Sequence, residues 1–158
     1  MKEESLETQK MKILIVDDTP INLDILLRML EDENYKIAVT LSGNGALKIA
    51  PQFKPDLILL DVMMPGMDGY ETCRRLKENE ETQDIPVIFI TAKNQTEDVV
   101  RGFDVGGADY ILKPICYEEA LARVKTQMKL RIYLQERDRA QAKLMRFAGV
   151  GVRVGIFD

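Results

Sequence analysis

The chain has 158 residues, 46% hydrophobic and 30% charged, with 22 Lys and Arg against 26 Asp and Glu and a net charge of −4. That is about one compact domain plus a short extension, large enough to bury a core without disulfide staples and too apolar for a disordered chain. There is no histidine, which excludes Ser/His/Asp and Cys/His catalytic sets, most zinc sites and the usual general base near neutral pH.

Residues 1–11 form a polar arm where a secretory signal would need an apolar stretch, so cytoplasmic residence is expected. Lys12–Val16 is a continuous β-rich apolar run, as a strand buried on both faces requires. Pro20 then opens a helix whose apolar stripe is Ile21, Ile25, Leu26, Met29 and Leu30. Lys36–Thr40 reads as a second strand, and Ala46, Leu47 and Ala50 as a second helix ended by Pro51. A third strand at Leu57–Leu60 precedes a helix over Tyr70–Lys77, and a fourth at Val87–Ile90 precedes one over Glu97–Val105. After a fifth strand at Tyr110–Leu112, a long helix starts near Tyr117 and meets no proline or glycine before Phe147. Strand and helix thus alternate five times, which predicts an α/β fold with a parallel sheet covered by helices on both faces.

Ligands of such sheets bind outside the carboxyl ends of the strands. Asp17 and Asp18 follow the first apolar run, Asp61 the third, Thr91 the fourth, and Lys113 with Pro114 the fifth. Three carboxylates a few ångströms apart repel by roughly 4 kcal/mol per pair at 4 Å and an effective dielectric of 20. A hard divalent cation relieves that repulsion, and an oxygen-only set that leaves room for phosphate suits Mg²⁺. Lys113 brings a point charge and Thr91 a hydroxyl donor, both matched to phosphate oxygens. The set suits phosphoryl transfer to Asp61 as nucleophile, giving an aspartyl phosphate. No Gly-x-x-x-x-Gly-Lys-Ser/Thr loop is present to hold a nucleoside triphosphate, so the donor is external, a phosphohistidine or a small phosphodonor.

Asp17-Asp18, the stretch Asp61-Val62-Met63-Met64-Pro65-Gly66-Met67-Asp68-Gly69, Ile90-Thr91-Ala92 and Lys113-Pro114 together resemble the receiver domain of two-component response regulators, the CheY-like superfamily. The likeness runs from about Lys12 to Met128. It implies a flavodoxin-like (βα)5 doubly wound sheet of order 2-1-3-4-5 with the last helix extended, and phosphorylation at Asp61 by a sensor histidine kinase or phosphotransfer protein. It implies Mg²⁺ held by Asp18, Asp61 and the backbone carbonyl of Met63, with Asp17 acting largely through water. Thr91 and Lys113 would contact the phosphoryl group, and Lys113-Pro114 would be a cis peptide. Thr91 and Tyr110 would form the switch: the threonine moves toward the phosphate, the ring turns inward, and the surface of the fourth helix, fifth strand and fifth helix responds.

Other residues read more plainly. Asp68 is a helix cap or turn residue, Gly43, Gly45, Gly106 and Gly107 are turn or cap glycines, Met63 and Met64 are exposed loop residues, and Cys73 and Cys116 are small buried or half-buried side chains. Neither Met63 nor Lys93, which flank the site, offers water a general base, so a moderately long-lived phosphoform is expected. Residues 1–117 carry a charge of −8 and residues 118–147 a charge of +4, a pattern unlike a nucleic-acid-binding domain. The expected organisation is an arm over 1–11, a receiver over 12–131, a helical extension or linker over 132–147 and a tail over 148–158 that could begin an output module. Leu130, Leu134, Leu144 and Ala148 have heptad-compatible spacing, interrupted by Arg137 and Gln141, so the extension is a candidate homodimer contact. No apolar run approaches the roughly 18 residues of a membrane span, and no enzyme of its own is expected in the chain. Two other readings use the same residues. One is a receiver that docks without being phosphorylated. The other is an aspartyl-phosphate hydrolase of the haloacid-dehalogenase type, which would need Asp-x-Asp after the first strand where Asp17-Asp18-Thr19 stands.

Overall fold

A computed structural model describes residues 10–92 and 96–148; all but the last two residues of the arm over 1–11, Lys93, and all but the first residue of the tail over 148–158 lie outside the described residues. Five parallel strands, β1 (Lys12–Val16), β2 (Lys36–Thr40), β3 (Leu57–Asp61), β4 (Val87–Thr91) and β5 (Asp109–Leu112), stand in the order β2-β1-β3-β4-β5. This is the expected flavodoxin-like sheet. The connecting helices are α1 (Pro20–Leu30), α2 (Gly43–Phe53), α3 (Gly69–Glu78), α4 (Thr96–Asp104) and α5 (Tyr117–Ala148). Strand order reverses between β1 and β3, which opens a crevice at their carboxyl ends.

Alternation along each strand divides the core in two. Leu14, Val16, Ile58, Leu60, Val87 and Phe89 face α2 and α3 through Ala46, Ala50, Tyr70, Cys73 and Leu76. Ile13, Ile15, Leu57, Leu59, Ile88 and Ile90 face α1 and α5 through Leu26, Leu30, Ala120, Val124 and Met128. Both faces of the central strands are therefore dry, which is why their sequences are continuously apolar instead of alternating. At roughly 1.5–3 kcal/mol for each fully buried Leu or Ile, this burial is the main force fixing the strand register.

Four expectations are corrected. Asp61 and Thr91 are the last ladder residues of β3 and β4, registered with Ile90 and Leu112, and do not follow the strands. Pro51 lies inside α2, which runs on to Phe53 and closes with Lys54 in the left-handed region at φ 53°, its N–H donating to the Ala50 carbonyl. A proline one turn from a helix end removes a single donor, and burial of Ala46 and Ala50 with Phe53 against the core outweighs that loss. Met64 is buried in the core while Met63 is 59% exposed, because the loop after β3 turns one methionine in and the other out. Cys116 is exposed, just ahead of α5, whereas Cys73 is buried on α3.

Burial pushes the Cys73 thiol up to about 11 despite the nearby Lys77 ammonium. Iodoacetamide should therefore alkylate Cys116 at least about 100-fold faster than Cys73 in the native protein, the two rates converging in urea. Equal native rates by peptide mass spectrometry would contradict the packing of α3.

Helix α5 has 32 residues, about 48 Å at 1.5 Å per residue. It packs on the sheet as far as Met128, and then Arg131 and Gln135 reach Asp56 at the opposite edge of the sheet from the acidic crevice. From Glu136 to Arg146 every residue is exposed. No helix among the described residues is long and apolar enough to cross a membrane.

Candidate functional site

The acidic cluster is assembled by backbone geometry at the ends of β1 and β3. Asp17 is fully buried; its N–H donates to the Thr40 carbonyl at 3.2 Å, continuing the ladder to β2. Its Oδ1 accepts from the Thr19 N–H at 2.9 Å and lies 3.5 Å from the Asn22 amide, so the unpaired donors opening α1 hold one of its oxygens. Oδ2 is buried with no hydrogen-bond partner. Asp18 is half-buried and accepts at Oδ1 from the Thr19 hydroxyl at 3.3 Å. Asp61, 1% exposed, accepts at Oδ1 from the Lys113 ammonium at 3.1 Å and from the Met63 N–H at 3.4 Å. One carboxylate oxygen from each of Asp17, Asp18 and Asp61 lies within 4.8 Å of the others.

This donor set fits a hard divalent cation: all-oxygen, crowded with like charge, and including a buried oxygen that no protein donor satisfies. Burial raises the Asp17 pKa, the Thr19 N–H opposes the rise, and the Asp61 charge adds to it. The folded chain thus holds the Asp17 proton more tightly than the unfolded chain. Stability accordingly falls as pH rises from the ordinary carboxylate range through the raised folded value. Asp17→Asn should raise stability at neutral pH and flatten that decline. Urea titrations at several pH values without divalent metal provide the check; a variant less stable than the wild type at pH 7 would refute the electrostatic account.

Lys113 reaches the same crevice from the end of β5, and Thr91 ends the neighbouring strand β4. Thr91 is 5% exposed, its carbonyl accepts from the Lys113 N–H at 2.8 Å, and the Lys113-Pro114 peptide is cis. The loop from Val62 to Asp68 closes over β3: Gly66 takes φ +76°, and Asp68 caps α3 by accepting from the Glu71 N–H at 2.9 Å. Tyr110 sits two residues before Leu112, the register partner of Thr91. Thr91 and Tyr110 line one narrow cleft, together with Val62, Phe89 and Phe103.

The structure therefore gathers Asp17, Asp18, Asp61 and Lys113 directly, sets Thr91 on the adjacent strand, and puts Tyr110 farther along the same cleft. Sequence reasoning passed over three contributors. Asn22 is recognisable as the polar residue one turn into α1. Arg123 pairs with both oxygens of Asp109 at 2.9 and 3.0 Å and stands 5.5 Å from the Tyr110 ring centroid; its only sequence signal is the i,i+4 pairing with Glu119. Tyr70 stands in the sequence only as the first residue of the predicted Tyr70–Lys77 helix, with no motif around it.

A doubly wound parallel sheet with three carboxylates and a lysine converging at its topological switch point, and a buried threonine ending the next strand, defines the CheY-like class of α/β domains. The family model for the response regulator receiver domain matches residues 13–125, and the chain belongs to that family. It is 42% identical over 118 residues to the DNA-binding dual master transcriptional regulator RpaA of Synechocystis, an alignment covering 75% of this chain and 49% of the relative. To the response regulator PleD of Caulobacter vibrioides it is 37% identical over 157 residues, covering 93% of this chain and 35% of the relative. This chain therefore spans about a third to a half of these curated relatives. Among solved structures, the receiver domain of the Pseudomonas aeruginosa sensor histidine kinase PA1611, described with a magnesium ion in its active-site cleft, superposes with a TM-score of 0.70 at 28% identity, over 76% of this chain and 98% of that one.

Proposed function

We propose that the domain accepts a phosphoryl group on Asp61 from a histidine kinase or phosphotransfer protein and passes the event to its α4/β5/α5 surface. The observation that carries this reading is the ion pair between Lys113 and Asp61 inside a crevice where Asp17 and Asp18 converge on the same carboxylate. An Asp61 carboxylate oxygen attacks phosphorus, the P–N bond of the donor phosphoimidazole breaks, and its electron pair stays on the ring nitrogen. Lys113 neutralises one phosphoryl oxygen and the Thr91 hydroxyl donates to another, which is the positioning and charge compensation that phosphoryl transfer requires. Asp17, Asp18, Asp61 and the Met63 carbonyl would hold Mg²⁺, which when bound offsets the charge of carboxylates and phosphate. The thioether of Met63 cannot activate water, so the acyl phosphate is long-lived.

Treatment with acetyl phosphate and Mg²⁺ should add one phosphoryl mass to the intact protein, lost over minutes or longer. No mass gain would favour a docking receiver that is never phosphorylated, decay within seconds would remove the claim of a long-lived form, and catalytic release of phosphate from monoesters would point to a hydrolase.

The exposed extension of α5 supplies the output contact in this proposal. Leu130, Tyr133 and Leu144 are 47%, 61% and 56% exposed along the helix, and an isolated helical segment of about 12 residues is marginal in water without a partner. A second copy packing on this stripe gives a homodimer. Sedimentation with beryllofluoride and Mg²⁺ should show a dimer that the double change Tyr133→Glu and Leu144→Glu returns to monomer; a wild-type monomer at all concentrations would eliminate this contact.

A further inference from the structure

We propose that Tyr70 is a positioning residue that couples the Asp61 loop to helix α4, alongside the Thr91–Tyr110 switch; this rests on the reading of Asp61 as the phosphoacceptor. The first turn of α3 is joined to the end of β3. The Gly69 N–H donates to the Val62 carbonyl at 2.9 Å, and a Cβ at Gly69 would run into the Asp61 carbonyl oxygen and come within 2.8 Å of Val62 Cα. Any movement of the Asp61–Val62 backbone is therefore delivered to α3 at Gly69, and Tyr70 is the next residue.

Tyr70 carries that contact across to α4. Its ring is 3% exposed and stacks obliquely on Phe89, with centroids 5.4 Å apart and planes at 58°. Against the same ring the Arg101 guanidinium of α4 stands 4.5 Å from the centroid. The Tyr70 hydroxyl donates to the Asp98 carbonyl, also on α4, at 3.3 Å. Asp98 and Arg101 are three residues apart and lie on one side of the helix, so a single phenol grips α4 at two points. The grip matters because α4 is otherwise lightly held: of its residues Thr96–Asp104, Gly102 alone is buried. Tyr70 also borders the cleft shared by Thr91 and Tyr110. The aromatic route through α3 and the hydroxyl route through β4 thus end on the same helix.

Tyr70→Phe keeps the ring and deletes the bond to Asp98, while Arg101→Met removes the cation and keeps the aliphatic reach. Amide hydrogen exchange across α4, read by mass spectrometry with and without beryllofluoride and Mg²⁺, tests both. Without beryllofluoride, exchange in α4 should quicken by about 3- to 10-fold in Tyr70→Phe, the share expected of one neutral hydrogen bond. The decisive quantity is the ratio of α4 exchange rates with and without beryllofluoride, which measures coupling between the sites. It should shrink by a similar factor in both variants. A purely structural Tyr70 would speed exchange equally in both conditions and leave the ratio unchanged, which overturns the proposal, as does unaltered α4 exchange in Tyr70→Phe. If the wild-type protein binds no beryllofluoride, the phosphoacceptor reading fails, and with it the link between Tyr70 and phosphorylation.

Discussion

Asp61→Asn should abolish phosphoryl acceptance, reducing modification by acetyl phosphate at least about 10³-fold, the scale on which removal of a nucleophile is felt. The side chains match in shape, and the amide oxygen can still receive the Lys113 ammonium that now lies 3.1 Å from Asp61 Oδ1. What disappears is the anionic oxygen that forms the bond to phosphorus. The substitution also relieves crowding among three carboxylates that approach within 4.8 Å, so the unliganded variant should melt no lower than the wild type. Intact mass spectrometry after acetyl phosphate treatment, paired with a melting curve, separates the two effects. Full phosphorylation of the variant would show that another carboxylate is the acceptor, and a collapsed melting temperature would show that Asp61 is principally structural.

Gly69→Ala should be the most damaging single change among small residues. The added methyl runs into the Asp61 carbonyl oxygen and lies 2.8 Å from Val62 Cα and 3.0 Å from the Asp61 carbonyl carbon. These are backbone atoms locked in the β3 ladder, where Val62 N–H also donates to the Ile90 carbonyl at 3.1 Å. A flexible side chain could step aside; a paired strand end cannot. Overpacking of this kind costs about 1–3 kcal/mol. At roughly 2–4 °C per kcal/mol for a domain of this size, the melting temperature should fall by about 2–12 °C. Because the clash displaces Asp61 itself, acceptance of phosphate should fall even at temperatures where the variant stays folded. Gly66→Ala serves as the control. Gly66 has open space around its Cβ position but a φ of +76°, so it should lose stability through backbone strain alone, with a smaller effect on Asp61. A Gly69→Ala protein with wild-type melting and wild-type acceptance would mean that α3 can retreat from β3.

Much of this architecture was already written in one dimension. The continuous apolar runs at Lys12–Val16 and Val87–Ile90 signalled strands covered on both sides, because a strand with a wet face would have had to alternate. With five strand–helix units in sequence, the carboxyl-end rule assigns Asp17, Asp18, Asp61, Thr91 and Lys113 to one edge of the sheet. Local signals of this type survive because burial period, turn chemistry and strand direction are imposed residue by residue along the chain.

Where several elements compete for one residue, those signals ran out. Pro51 looked like a helix terminator, yet core contacts made by Ala50 and Phe53 carry α2 past it. Met63 and Met64 are chemically identical neighbours, and only the path of the loop sends one into the core and the other to solvent. Tyr70 and Arg123 had no motif, since their importance comes from partners 31 and 13 to 14 residues distant: Arg101 over the Tyr70 ring, and Tyr110 and Asp109 beside Arg123. The chain's chemistry thus follows from which side chains its strands end on, and sequence alone determines that. How the chemistry reaches a surface depends on contacts between helices distant in the chain, whose geometry exists only after the two halves of the core have packed.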